Sequence, residues 1–185
     1  MGVLKVAMEK TAKIVFIFLF ILGASGFIHS VKATEDSREY AVKAAFIYNF
    51  AKFVSWPEES KTEPFIIGVL GEDPFGDIWN EIRSKTVRGR PITVKQCGDD
   101  LDLASQCHVL FIDHLDREKL KKAINQFQGK PVLTIGDFPL FAETGGMIAF
   151  YDSENKIRFA INLESCRKAG LVVSSNLLKL AKIVE

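Results

Sequence analysis

Residues 108–135 read HVLFIDHLDREKLKKAINQFQGKPVLTI, and this stretch decides the fold. His108–Ile112 and Val132–Ile135 are short apolar runs, typical of strands buried on both faces of a parallel sheet. Between them, Asp116 can cap the start of a helix, and Gly129 fits its end. Two strands joined by a helix form a right-handed parallel crossover. The stretch therefore predicts an α/β fold.

The same alternation of elements continues on both sides of this unit. Upstream, the pattern predicts a first helix over Ser37–Val54, a strand over Phe65–Leu70, a helix that starts at Asp73-Pro74 and runs to about Lys85, and a strand over Pro91–Gln96. The first helix is apolar nearly all round, so we expect it to pack on two sides or to make a dimer contact.

Downstream of the central unit, two strands follow each other directly. The pattern predicts a short helix over Phe138–Glu143, strands over Met147–Tyr151 and Lys156–Asn162 joined by a four-residue turn, a helical turn over Leu163–Lys168 and a final helix over Ser174–Ile183. We expect one α/β domain with a mostly parallel sheet, flanking helices and a C-terminal antiparallel edge hairpin. This fold is Rossmann-like without a nucleotide site, because the glycine turns match neither phosphate-binding motif.

The N-terminus has the layout of a secretory signal peptide. Lys5, Lys10 and Lys13 precede the apolar run of residues 14–22, and small residues follow it up to Ala33. We expect cleavage after Ala33, with Gly26 as the second choice of site. An uncleaved membrane anchor is the alternative, since the uncharged stretch is about as long as a bilayer requires. The domain boundaries are therefore 1–33 for the signal peptide and 34–185 for the mature domain.

The charge of the mature chain argues against nucleic-acid binding. Removing residues 1–33 removes four Lys and one Glu, which changes the formal net charge from +1 to −2. Proteins that bind nucleic acid need a clustered basic surface. The remaining 152 residues fit one domain, and the composition, 48% hydrophobic with 15 Phe, supplies a full core.

Three cysteines occur in the chain, at Cys97, Cys107 and Cys166. In an oxidising compartment two cysteines can pair, and an odd number leaves one thiol over. We favour a Cys97–Cys107 disulfide, whose loop closure is worth about 2–3 kcal/mol. Three buried free thiols are the alternative. Neither a CxxC redox motif nor the ligand spacing of a zinc site is present.

The mature sequence shows no catalytic constellation. A Cys–His nucleophile pair needs its side chains to meet, but Cys107 and His108 are adjacent on a predicted strand and point to opposite faces. We therefore expect a protein that is not an enzyme and that needs no cofactor or metal.

Eight blocks of sequence, in order, closely resemble the YfiR family. They are KAAFIYNFAKFVSWP (43–57), FIIGVLGEDPFG (65–76), VRGRPITV (87–94), CHVLFI (107–112), PVLTIGD (131–137), FAETGGMIAF (141–150), IRFAINL (157–163) and AGLVVSSNLLKLAKIV (169–184). The resemblance implies a periplasmic regulator, often dimeric, that represses an inner-membrane diguanylate cyclase by binding its periplasmic part. It also implies an outer-membrane lipoprotein that relieves the repression. The implied signalling pathway is that of cyclic di-GMP.

The segment from Gly145 to Leu163 is the candidate for partner binding. Gly145 and Gly146 have no Cβ, so another backbone can approach them closely. Aromatic and Arg side chains dominate the binding energy of protein interfaces. The candidate interface residues are Gly145, Gly146, Phe150, Tyr151, Arg158 and Phe159. The alternative is that alternate residues of this hairpin face the core.

A small-ligand binding protein or sensor is the alternative function. Ligands favour the carboxyl ends of parallel strands. Its pocket would lie at the strand ends near Gly71, Asp113 and Gly136.

Overall fold

The structure is a computed structural model that describes residues 35–57, 63–113 and 115–184. The signal peptide predicted for residues 1–33 lies outside the described residues. One compact unit comprises Tyr40–Glu185, and residues 35–39 belong to a separate unit, Met1–Glu39. Within the described ranges, no helix is both long and apolar enough to span a membrane.

The helices of the described residues are mostly short. They are α1 over residues 35–53, α2 (Trp79–Arg83), α3 (Leu101–Ala104), α4 (Arg117–Phe127), α5 (Leu163–Lys168) and α6 (Ser175–Leu178), with a 3-10 turn at Gly76–Ile78. Asp116 caps α4 as predicted, because its carboxylate accepts a hydrogen bond from the Lys119 N–H at 2.9 Å. Gly129 follows α4 with φ of +73°, the left-handed conformation that ends many helices.

The strands form one large sheet and one small ladder. They are β1 (Val54–Ser55), β2 (Phe65–Leu70), β3 (Thr86–Val87), β4 (Arg90–Gly98), β5 (Val109–Ile112), β6 (Leu133–Gly136), β7 (Ile148–Ser153), β8 (Lys156–Asn162), β9 (Val172–Val173) and β10 (Lys182–Val184). The large sheet has the order β10-β8-β7-β6-β5-β2-β4-β3, and β1 pairs with β9. Only β3–β4 and β7–β8 are antiparallel in the large sheet, so the predicted fold class is confirmed.

Helices cover both faces of the large sheet, and each face has its own core. On one face α1, α2, α5 and α6 pack over a cluster that includes Phe50, Trp79, Phe111 and Ile161. On the other face α3 and α4 pack over a cluster that includes Phe127. Because both faces of the sheet are buried, its strands appear in the sequence as continuous apolar runs.

The predicted final helix over Ser174–Ile183 is wrong. Ser174 does cap a helix, but α6 ends at Leu178, and Lys182–Val184 forms strand β10 instead. β10 pairs in parallel with Ala160–Asn162 of β8. By pairing with β8, residues 182–184 gain the backbone hydrogen bonds that a longer helix would otherwise have supplied. Contacts with a distant part of the chain therefore decide whether this short segment is helix or strand.

The predicted short helix over Phe138–Glu143 is also wrong, because this segment forms turns. Leu140 has a φ of +64°, which no right-handed helix contains. Pro139 and the buried ring of Phe141 lie in the same turn. The turn therefore places an aromatic ring in the core without a regular helix.

The helix predicted to start at Asp73-Pro74 begins later. The 3-10 turn starts at Gly76 and leads into α2, which ends at Arg83. Asp73 accepts hydrogen bonds from the Phe75 N–H at 3.0 Å and from Trp79 Nε1 at 3.1 Å. Asp73 thus fixes the chain before the helix and orients a buried tryptophan.

Candidate partner-binding site

The β7–β8 hairpin pairs without a bulge along its full length. Its register runs from Ile148 opposite Ile161 to Ser153 opposite Lys156. The connection is a two-residue turn of Glu154 and Asn155, with φ of +53° and +57°, rather than the predicted four-residue turn. Two residues with positive φ form the turn that best fits the twist of antiparallel strands. The hairpin is therefore a regular, well-defined element.

Phe150 and Phe159 lie in the core. They are 2% and 3% exposed and stand opposite each other in the hairpin register. Phe159 packs against Phe50 and Phe46 of α1, with ring centroids 4.9 and 5.5 Å apart. These two candidate interface residues join the hairpin to α1, and a partner does not reach their rings while this packing holds.

Gly145 and Gly146 form a tight turn before β7. Gly145 has a φ of +109°, and a Cβ added at Gly146 would lie 2.3 Å from the Phe141 ring. The Gly146 N–H donates to the Phe141 carbonyl at 3.0 Å. The absence of side chains at the two glycines therefore lets the backbone of this turn lie close to the Phe141 ring. Gly146 is buried, as are Phe150 and Phe159, so the six candidates do not share one surface.

Tyr151 and Arg158 are the candidates that reach the surface. They are directly opposite each other in the hairpin, and both are exposed, with Tyr151 at 37%. Lys156 lies two residues before Arg158, on the same face of the strand, and is also exposed. We call Tyr151, Lys156 and Arg158 the hairpin surface. Lys156 was missed in the sequence, although the two-residue period of β8 identifies it.

Cys97 and Cys107 lie side by side as free, buried thiols. A Cβ added at Gly68 would lie 2.5 Å from Cys107 Sγ and 3.2 Å from Cys97 Sγ, so both sulfurs cover the same glycine. The hydrogen bond from the Cys107 thiol lowers the pKa of Cys97 and raises that of Cys107. Cys166 lies elsewhere in the core, where burial raises its pKa to about 12. The Cys97–Cys107 disulfide stays a prediction, and the proximity of the sulfurs favours it.

A thiol titration checks this prediction. We expect protein purified from the periplasm to show one reactive thiol in denaturant, that of Cys166, and three after reduction. Reduction should lower the free energy of unfolding by about 2–3 kcal/mol. A Cys166→Ser variant is the control and should show no thiol before reduction. Three thiols in the unreduced wild-type protein would contradict the disulfide.

Cys107 and His108 do not meet as a nucleophile and its base. The His108 Nδ1 accepts from the Ile66 N–H at 3.1 Å, and its Nε2 lies 2.9 Å from Arg90 Nη2. Its ring stacks on Phe65, with centroids 4.7 Å apart. Burial, and then the Arg90 charge, lowers the pKa of His108 to about 4. His108 is thus a neutral residue engaged in packing.

The backbone is closely packed beside Gly71 and Gly136, at the ends of β2 and β6. A Cβ at Gly71 would lie 2.2 Å from the Asp113 carbonyl oxygen, and one at Gly136 would lie 2.6 Å from the Phe141 ring. The nearest cavity, of about 190 Å³, is lined by Leu70, Asp99, Leu101, Leu115, Lys119 and Lys122. It is smaller than the roughly 300–1,000 Å³ of ordinary ligand pockets. A small-ligand site at these strand ends therefore stays a prediction.

Comparison with known proteins decides the family. The sequence model of the YfiR/HmsC-like family matches residues 40–182. The chain belongs to the YfiR/HmsC-like family. Membership confirms the resemblance seen in the sequence. It supports a periplasmic regulatory protein in cyclic di-GMP signalling, rather than a catalyst.

One solved structure shows a distant likeness. It is the crystal structure of a conserved domain protein from Vibrio cholerae O1 biovar El Tor str. N16961, with 12% sequence identity and a TM-score of 0.41. The match covers 65% of this YfiR/HmsC-like chain and 54% of that chain, so this chain spans about half the length of the other protein. A likeness this distant carries no argument about function.

Proposed function

We propose that this YfiR/HmsC-like protein is exported through a cleaved signal peptide, residues 1–33, and restrains an inner-membrane diguanylate cyclase by binding its periplasmic part. An outer-membrane lipoprotein that sequesters the regulator would relieve the restraint. The observation that supports partner binding is the hairpin surface. It presents Tyr151 and Arg158 side by side and exposed on a regular hairpin, and Tyr and Arg are enriched among residues that dominate binding energy.

A homodimer is part of the proposal. On the outer side of α1, Val42 and Phe53 are 45% and 39% exposed. Ala41, Ala45, Phe46 and Asn49 border the same region. An exposed apolar helix face of this kind is typical of a contact between subunits. The mass of the purified protein in solution, from light scattering, distinguishes a dimer from a monomer.

A pulldown from detergent-solubilised envelope tests the regulatory function. The full chain, expressed with its own leader, should recover a membrane protein with a cytoplasmic cyclase domain. In the variant Tyr151→Ala/Arg158→Ala, affinity for that protein should fall at least tenfold, because such residues contribute about 2 kcal/mol or more each. Melting temperature should change little.

Arg117→Ala is the matched control, since Arg117 is exposed on α4 and belongs to neither strand of the hairpin. It should recover the cyclase as the wild-type protein does. Recovery of no cyclase by the wild-type protein, in several detergents, would contradict the proposed function.

A further inference from the structure

β8 has an edge that is only half covered. On the side away from β7, β10 pairs with Ala160, Ile161 and Asn162. β8 begins four residues earlier, at Lys156, and among the described residues no strand pairs with Lys156–Phe159 on this side. An uncovered strand edge presents backbone donors and acceptors that can pair with another chain.

The register shows which backbone groups face outward. Ser153 and Lys156 flank the two-residue turn and form its closing, hydrogen-bonded pair. Because hydrogen-bonded and non-hydrogen-bonded pairs alternate, Arg158 also bonds to β7, whereas Ile157 directs both its N–H and its C=O away from β7. The Phe159 N–H points the same way. These groups form a short, preformed template for a further strand.

The two faces of this edge differ in chemistry. Arg158 and Lys156 project on one face, and Lys182 of β10 projects there too, because it is the register partner of Ala160. All three cations are exposed, and none takes part in the ion pairs among described residues. The other face is apolar, with Ile157 half-buried and Ile183 43% exposed. A strand that fits this edge alternates acidic and apolar side chains.

We propose that a protein partner adds an extended segment to the open edge of β8, with acidic residues over Lys156, Arg158 and Lys182 and apolar residues beside Ile157 and Ile183. Main-chain hydrogen bonds supply affinity in such strand addition, and the alternate side chains supply specificity. A second copy of this chain does not fit, because antiparallel pairing of two β8 edges places the basic faces side by side, and like charges destabilise a strand pair.

This inference rests on the proposed function for the identity of the partner, but its chemistry is tested without the cyclase. The probe is an acetylated eight-residue peptide in which Glu alternates with Val, added to the protein purified after export. We expect amide hydrogen exchange at Ile157 and Phe159 to slow at least about tenfold, since strand addition gives these N–H groups an acceptor. The effect should weaken with added salt.

The control peptide has Lys in place of Glu and should leave the exchange rates unchanged. Unchanged exchange with the Glu peptide at millimolar concentration, or an equal effect of the Lys peptide, would overturn the inference.

A variant separates this inference from the proposed function. Ile157→Pro removes the outward N–H of residue 157 without removing a hydrogen bond to β7. Ile157→Val retains this N–H. We expect cyclase recovery to fall at least tenfold for Ile157→Pro and to stay at the wild-type level for Ile157→Val. Full recovery with a folded Ile157→Pro protein would overturn strand addition and leave the regulatory function standing, whereas no recovery with the wild-type protein would count against the function.

Discussion

Phe159→Ala is expected to lower the free energy of unfolding by about 3–5 kcal/mol, as replacement of a fully packed phenylalanine usually does. The Phe159 ring is 3% exposed and lies 4.9 Å from the Phe50 ring, centroid to centroid. Its removal leaves a cavity between the hairpin and α1, which the neighbouring rings fill only in part. Urea denaturation at a fixed redox state measures the change.

Two further variants test whether the loss of stability comes from the packing of the Phe159 ring. Phe159→Leu retains most of the volume and should lower the free energy of unfolding by less than about 1.5 kcal/mol. Arg158→Ala changes the adjacent, exposed position and should stay within about 0.5 kcal/mol of the wild-type value. If Phe159→Ala left stability unchanged and abolished partner binding, Phe159 would be an interface residue and the packing described for it would be wrong.

This contrast shows why the sequence did not resolve the site. The alternation in IRFAINL places Arg158 and Phe159 on opposite faces of a strand, but it does not say which face α1 covers. The answer depends on Phe46 and Phe50, more than 100 residues away in the chain. The sequence therefore predicted the hairpin, whereas only the tertiary packing separates its buried residues from its exposed ones.

Where local signals agreed with burial, the sequence predicted the fold well. β2 and β8 have the predicted bounds, and so does α5, where Asn162 accepts a hydrogen bond from the Ser165 N–H. The central β5–α4–β6 unit is also confirmed, because a strong cap and two apolar runs define it. Each of these elements is determined mainly by residues within itself.

The errors lie where a distant contact determines the local conformation. Residues 182–184 have the apolar spacing of a helix end, but β8 offers them hydrogen bonds, so they form β10. Lys182 was for this reason assigned to a helix, and no signal in the sequence places it beside Ala160 of β8, on the same face as Arg158. Similarly, the sequence did not show that the Phe141 ring fills the space beside Gly136.

The second large effect is expected at the ion pair between α1 and the sheet. Lys43 Nζ lies 2.5 Å from Asp137 Oδ2, and the side chains of Lys43 and Asp137 are 4% and 18% exposed. Lys43 also lies over the Tyr40 ring, 4.9 Å from its centroid. Because Asp137 directly follows β6, this pair joins the first helix to the centre of the sheet.

Asp137→Ala should lower the free energy of unfolding by about 3 kcal/mol, because it takes a carboxylate away from a buried ammonium group. The double variant Lys43→Met/Asp137→Leu should recover most of this loss, since replacing both charges by apolar side chains of similar size is often neutral or stabilising. Glu164→Ala is the control, because the Lys168–Glu164 pair is exposed and contributes little. Denaturation of all four proteins measures these differences, and a double variant no more stable than Asp137→Ala would contradict the electrostatic explanation and indicate a loss of packing instead.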